Sequence, residues 1–362
     1  MFLGPNNFGR TLRIRVDDYF GETSRRDDVR LYFKALIIIL WFLASYVLLF
    51  FVESSWLQLL LCISYAISAC ALGFNVFHDA NHGSLSSSRH VNLLVSALSS
   101  TALGAGRYFW RYKHNVLHHS LVNVFEWDDD IESRGYLRLS PQQPWKSKYE
   151  NQHRFFFILY GLNTLEWFFV KDFVHYFTLK INHYRPIPPM STGQKIEFWT
   201  SKVVYVIVFV ALPFLFFPTG RFLLGFLVFH LTLSLFLTFI FQMAHLVEKV
   251  EFPVPSGDPL GISSEWAAHQ LRTTANFGND NALLNWFTGG LNFQIEHHLF
   301  PKVSHTHYRK ISKIIEETAS EFGLPYHSYD SYTSVFRSHY RMVRELGYEP
   351  VTQDFGKRRL AA

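Results

Sequence analysis

Apolar and polar positions divide this chain into long uncharged runs separated by polar segments rich in histidine. Residues 35–52, 54–77, 203–220 and 222–247 contain no Asp, Glu, Lys or Arg. Each run has at least 18 residues, and an α-helix rises about 1.5 Å per residue, so each can cross a hydrocarbon layer of about 30 Å. The pattern predicts two tight hairpins, one turning near Glu53, Ser55 and Trp56, the other at Pro218–Arg221. Arg221 is the sole basic residue in either turn. The other basic residues gather in the N-terminal arm, the central segment and the C-terminal third, which the positive-inside rule places in the cytoplasm.

Two shorter runs, 91–106 and 155–165, are too short or too rich in small polar residues to span, and are expected to lie in or dip into the interface. A lone crossing by 91–106 would also put neighbouring histidine strings on opposite sides. In the N-terminal arm, Leu12, Val16, Tyr19 and Phe20 recur at helical spacing between Arg10, Arg13 and Arg15, the pattern of an amphipathic surface helix. Near the C-terminus Ile311, Ile314, Ile315 and Phe322 form one helical stripe that Gly323 and Pro325 end. The expected architecture is an all-α integral membrane protein with four transmembrane helices in two hairpins and a cytoplasmic helical cap. Its divisions are an amphipathic arm (1–34), a first hairpin (35–77), a cytoplasmic segment (78–198), a second hairpin (199–247) and a cytoplasmic C-terminal segment (248–362).

Composition agrees: 17% of residues are charged, against about 25% in soluble proteins. Cys62 and Cys70 share one apolar run, which excludes a disulfide framework and argues against thiol ligation. Nothing resembles a cleaved signal peptide, so the first span is expected to direct insertion. The expected surroundings are a lipid bilayer, with both termini cytoplasmic and no nucleic-acid partner. Asp128, Asp129 and Asp130 read as a short solvated acidic loop.

The chemistry sits in three strings, His78-Asp-Ala-Asn-His82, His114-Asn-Val-Leu-His118-His119 and Gln294-Ile-Glu-His297-His298. Residues three or four apart share a helix face, so His78 with His82, His114 with His118, and Gln294 with His297 and His298 can point together. The fourth span adds His245 at the same side. His230, fifteen residues earlier in that helix and about 22 Å away, cannot join them. Eight imidazoles exceed the four ligands of one zinc ion, so the count favours two metals. Imidazole suits Zn, Cu, Fe and Ni alike, and of these iron would make oxygen chemistry available. Asp79, Asn81 and Glu296 are candidates for fixing imidazole tautomers, with helix capping the alternative for Asp79 and Asn81.

The three strings, their order, Arg272-Thr-Thr-Ala-Asn-Phe277 and His298-Leu-Phe-Pro301 resemble the histidine boxes and flanks of the membrane fatty-acid desaturases over nearly the whole chain. A third box opening with Gln is similar to the front-end type, and to the stand-alone delta-6 acyl-lipid desaturases of cyanobacteria and related bacteria. The resemblance implies two non-haem irons on His78, His82, His114, His118, His119, His245, His297 and His298. Gln294 is then a metal or water contact. It further implies O2 as co-substrate, loss of two neighbouring hydrogens from an acyl chain, and a cis double bond between an existing one and the carboxyl end. An acyl lipid is favoured over acyl-CoA or acyl carrier protein, in a plasma or thylakoid-type membrane if the host is bacterial.

No His-Pro-Gly-Gly haem motif occurs, so electrons are expected from a separate ferredoxin or cytochrome b5. Arg107, Arg111 and Lys113, with Lys302, Arg309, Lys310 and Lys313, are candidates for a basic face that steers such a donor; positive-inside bias is the alternative. Phe77, Phe109, Trp110 and Trp286 are candidates for lining an acyl channel or for packing. A hydroxylase on the same histidines and a membrane metal or haem carrier are the rival functions.

Overall fold

The computed structural model describes residues 2–181, 186–257 and 261–349; the last part of the expected C-terminal segment lies outside them. Helix α1 (Asn7–Phe20) is followed by α2 (Val29–Leu48), α3 (Ser55–His82) and α4 (Arg89–Leu103). Next come α5 (107–118), α6 (152–178), α7 (Thr192–Phe216) and α8 (Thr219–His245). Short helices α9 (Trp266–Thr273), α10 (Ala282–Thr288) and α11 (Gln294–Leu299) precede α12 (Tyr308–Glu321) and α13 (Tyr332–Gly347). The fold is helical, although two-residue strands β1 (Asn276–Phe277) and β2 (Ser328–Tyr329) pair in parallel.

Four helices, α2, α3, α7 and α8, are long and apolar enough to cross a membrane. Their bounds depart from the uncharged runs for local reasons. Helix α2 starts at Val29 because the Asp28 side chain accepts the Arg30 N–H, and Lys34 does not interrupt it. The Lys34 ammonium is buried, 3.0 Å from His305 Nε2 and over the Trp286 ring. Helix α7 starts at Thr192 behind a capping box of Ser191 and Gln194. Its buried Lys202 is neutralised by Asp172 at 2.7 Å and also donates to the Gly104 and Phe168 carbonyls. A charge hidden in a pair does not end an apolar helix, and counting charges along the sequence misses this.

The α2–α3 turn lies against the α7–α8 turn: Phe50 packs on Phe216 and Phe217, and Arg221 donates to Gln58 Oε1 at 3.3 Å. At the opposite end α3 runs straight into the first histidine string and stops at Gly83, whose left-handed φ of +72° breaks the helix.

Three expectations change here. The run at 155–165 is part of a much longer helix, α6, which lies along α8. The Thr164 hydroxyl bonds Ser234 and His230, while Asn163 donates to Thr238. Gly161 lets the two helices approach, since a Cβ there would stand 3.2 Å from Leu231 Cδ2. The apolar stripe of α1 is covered by protein instead of by lipid. Phe8, Leu12, Val16 and Phe20 are buried with α12 and α9, and Arg15 bonds Glu321 at 2.7 Å. Burying each such side chain is worth about 1.5–3 kcal/mol, which holds the arm down. The acidic loop is not solvated: Asp128 is buried against His118 of the second string, and Asp129 is buried against Lys171.

Candidate metal centre

Box 1 ends α3, box 2 ends α5, box 3 forms α11, and His245 ends α8; all four ends meet. The helix bonding changes immediately before the first box and through the second, as it also does at Trp167–Lys171 and Val206–Ala211. Residues Gly73–Phe77 and Tyr112–His118 form π-helical turns, in which hydrogen bonds close over five residues instead of four. The His119 N–H therefore reaches the His114 carbonyl at 3.0 Å, and their Nε2 atoms face each other at 3.3 Å. An ordinary α-helix would separate these two rings. Their convergence was not legible from four-residue spacing, which nonetheless paired His114 with His118 (ring centroids 5.3 Å apart).

Among the described residues two all-histidine clusters result, and a third group of His114, His118 and Asp130 bridges them. Ligand atoms of His78, His82, His114 and His297 lie within 4.8 Å of one another, as do those of His118, His245 and His298. His119 stands between them, its ring 4.7 Å from His297 and 4.3 Å from His298. All eight side chains are buried. The Nε2 atoms of His78, His82, His297 and His298 have no hydrogen-bond partner. Buried polar atoms without partners are costly, and this number of them converging on one volume fits cations held between the rings.

Chemistry on the far side of the rings agrees. His118 Nδ1 lies 3.0 Å from Asp128 Oδ1, His298 Nδ1 3.0 Å from Gln270 Oε1, and His245 Nδ1 3.5 Å from the Thr273 carbonyl. Those oxygens only accept, so Nδ1 carries the proton and the Nε2 lone pair is left for a metal. Burial, reinforced by the neighbouring imidazoles, pushes His114, His119, His297 and His298 well below the usual histidine range, so they stay neutral. Burial opposes charge on His118 too, yet Asp128 and Asp130 raise it above its ordinary value. Neutral rings with free lone pairs in a closed volume are what a divalent or trivalent ion requires.

A fatty acid desaturase family model matches residues 54–330. The chain belongs to that family. A sn-1 linoleoyl-lipid 6-desaturase of Synechocystis sp. is 35% identical, with 96% of this chain and 97% of that protein covered. The Arthrospira platensis protein of the same description is 32% identical over 96% of this chain and 94% of its own length. An acyl-lipid (8-3)-desaturase of Mortierella alpina is 33% identical over 97% of this chain and 80% of its own length. The protein is thus an oxidoreductase, a fatty acid desaturase, and the carrier alternative falls.

Of the expected neighbours of the boxes, Asp79 stays beside its histidine whereas Asn81 and Glu296 turn elsewhere. Asp79 lies 3.5 Å from His78 Nδ1 and 2.8 Å from His305 Nδ1. Asn81 instead donates to the Phe77 carbonyl. Glu296 fastens box 3 from outside, accepting from Tyr326 (2.6 Å) and Asn276 (2.8 Å), and burial raises its carboxyl to about 7. Gln294 is buried at the start of α11. His230 bonds Thr164 far from both clusters. Arg107 and Lys113 leave the proposed donor face, because Arg107 pairs with Glu197 and Lys113 with Asp130 and Asp129. Arg111, Lys302, Arg309, Lys310 and Lys313 are exposed. Trp110 stacks on His114 at 4.5 Å and Phe77 packs on Trp110 at 4.8 Å, whereas Trp286 sits over Lys34. Residues that four-residue spacing could not find are His305, Asp128, Gln270 and Tyr308, each fixing a box residue from a distant part of the chain.

Proposed function

We propose that the desaturase acts on an acyl lipid as a front-end, delta-6-like enzyme, with two non-haem irons held by the two imidazole clusters. His78, His82, His114 and His297 would hold one iron and His118, His245 and His298 the other, with His119 between them and Gln294 a polar contact to metal or water. The convergence of eight buried histidines from four helix ends carries this reading. The relatives named as lipid 6-desaturases and (8-3)-desaturases support the substrate class and the side of attack. Bound here with O2 and electrons, iron supplies the oxidant that an unactivated methylene C–H needs. The protein's own work is to hold one carbon–carbon bond of the chain against the clusters and to keep water out.

The same contacts support a reading of the membrane layout. The α2–α3 and α7–α8 turns lie together at one end and the histidines at the other, which supports two membrane hairpins beneath a cap made by α1, α4–α6 and α9–α13. Both termini then lie on the cytoplasmic, histidine side. Exposed Lys302, Lys310, Lys313 and Arg111 are kept as the docking face for a separate acidic donor, a ferredoxin or a cytochrome b5; Arg309 there carries a surface pair with Asp280. Expression in a host poor in polyunsaturated lipid, with double-bond positions located by derivatisation and mass spectrometry, tests the reading. Loss of one hydrogen from each of carbons 6 and 7 is expected, and gain of one oxygen would instead mark a hydroxylase. His118→Ala should abolish the product.

A further inference from the structure

Beside His114 two cavities share the lining residues Lys113, Asp130, Asn163, Lys171, Thr238 and Gln242, so they form one cleft. The inner part, about 80 Å³, is closed by Phe109, Trp110, Leu237 and Phe241 against the first cluster. The outer part, about 500 Å³, opens between the acidic loop and α6. On its rim Leu162 and Val170 are 39% and 46% exposed, a mouth flanked by apolar side chains.

Every cation lining the outer part of this cleft is paired with a carboxylate. Lys113 is taken up by Asp130 at 2.7 Å, Lys171 by Asp129 at 3.0 Å and Arg134 by Glu166 at 3.3 Å, with Glu132 adding a further carboxylate. Three cations facing four anions make no site for a phosphate or a free carboxylate, which need unpaired donors. Yet the walls hold polar atoms that no protein group satisfies. The Tyr160 hydroxyl, on a side chain 5% exposed, and Gln242 Oε1 are both buried without a partner. One can donate and the other only accept.

We propose that this cleft seats the uncharged ester end of an acyl glycerolipid bearing a hydroxylated, neutral headgroup, with Tyr160 and Gln242 as the positioning residues. The inference rests on the acyl-lipid reading above. Tyr160 donates to the ester carbonyl, Gln242 accepts from a headgroup hydroxyl, and the chain runs inward past Trp110 to the clusters. The cleft joins Tyr160 in its outer part to His114 in its inner part, so the acyl chain can reach the first cluster from a seated ester. Entry past Leu162 and Val170 takes the lipid sideways from the bilayer.

The full-length, iron-loaded protein in nanodiscs tests this with linoleoyl-bearing galactosyl diacylglycerol, linoleoyl-bearing phosphatidylglycerol and linoleoyl-CoA as probes. Binding is followed by titration alongside turnover. The galactolipid should bind best. Tyr160→Phe removes a hydroxyl with no protein partner, so melting temperature and iron content should hold while its Kd and KM rise about 3- to 10-fold, as one neutral hydrogen bond predicts. Gln242→Leu should act alike for the galactolipid, and kcat at saturation should change less than KM. Equal binding of linoleoyl-CoA or phosphatidylglycerol, or unchanged Kd in both variants, would overturn the cleft assignment while desaturation itself persists. Absence of desaturated product from every probe would instead overturn the acyl-desaturase reading beneath it.

Discussion

The two imidazole clusters are built from the same residue type at the same burial, yet the protein holds them differently. In the second cluster two of the three rings meet a close acceptor, His118 the Asp128 carboxylate and His298 the Gln270 amide oxygen, both at 3.0 Å, while His245 faces the Thr273 carbonyl at 3.5 Å. In the first, His78 has Asp79 at 3.5 Å and His297 has the Tyr308 hydroxyl at 3.3 Å, a group that can donate as readily as accept. The second cluster is therefore set in its ligating tautomer before any metal arrives, whereas the first relies more on the metal to orient its rings.

The largest effect should come from removing a ligand. His298→Ala and His82→Ala should each abolish product, and metal analysis should show about one iron per chain in place of two. Slow chelation of the wild-type protein should then strip the first cluster before the second. A single release phase, or loss from both clusters in step, would break the comparison.

Next in size is the acceptor behind a ring. Outer partners of metal-bound histidines are commonly worth 10- to 100-fold in metal affinity, so Asp128→Asn should weaken the second site by about that factor. Asp128 also accepts from the backbone of Asn123 and Asp130, so a thermal scan must accompany the titration. Gln270→Leu is the cleaner variant; its other bond, to the His119 carbonyl, is a single donor contact. Asp79→Asn should cost less metal, because the Asp79–His78 contact is long. An equal loss in Asp79→Asn and Gln270→Leu would erase the distinction between the clusters.

How much of this was legible beforehand follows the range of each interaction. The four long apolar helices and the eight box histidines are local patterns, written in runs and spacings. The partners that orient the rings are not, because Gln270, Thr273, Asp128 and Tyr308 become neighbours of their histidines only after folding. The acidic loop misled for that reason: three aspartates in a row read as solvent-exposed until the fold buries two of them against Lys171 and His118. Glu296 misled in the opposite sense, since adjacency to His297 in the sequence directs its side chain away, toward Tyr326. The π-helical turns that bring His114 onto His119 carry no spacing signature at all.

A smaller effect concerns electron entry, and it separates the clusters by position. His305 links Asp79 to Lys34 in a buried chain that ends at His78, and the segment before His305 carries exposed Lys302, held by Arg26 through its carbonyl. The basic surface thus lies nearer the first cluster. Lys302→Glu with Lys310→Glu should raise the KM for an acidic ferredoxin several-fold at low salt, and the difference should fade as salt screens it. A flat salt response would remove the docking role from this face.

The smallest expected effect is one of pH and bears on the second cluster. The His339 ring, buried on α13, donates through Nδ1 to the Leu246 carbonyl at 2.8 Å, one residue beyond His245. Because a carbonyl only accepts, Nδ1 is the protonated atom, and burial lowers the ring to about 4 despite that bond. An unfolded histidine titrates near 6.5. Between these values the unfolded chain binds more protons than the folded one, so stability rises with pH across the window and is lost as pH falls from about 6.5 toward 4. Other buried histidines contribute to the same acid loss, so the informative quantity is the difference from His339→Gln, which keeps a donor without a titrating ring. The wild-type melting temperature should fall more steeply over that window than the variant's, by a few degrees. Parallel curves would show that the end of α8, and with it His245, is not anchored through a neutral His339.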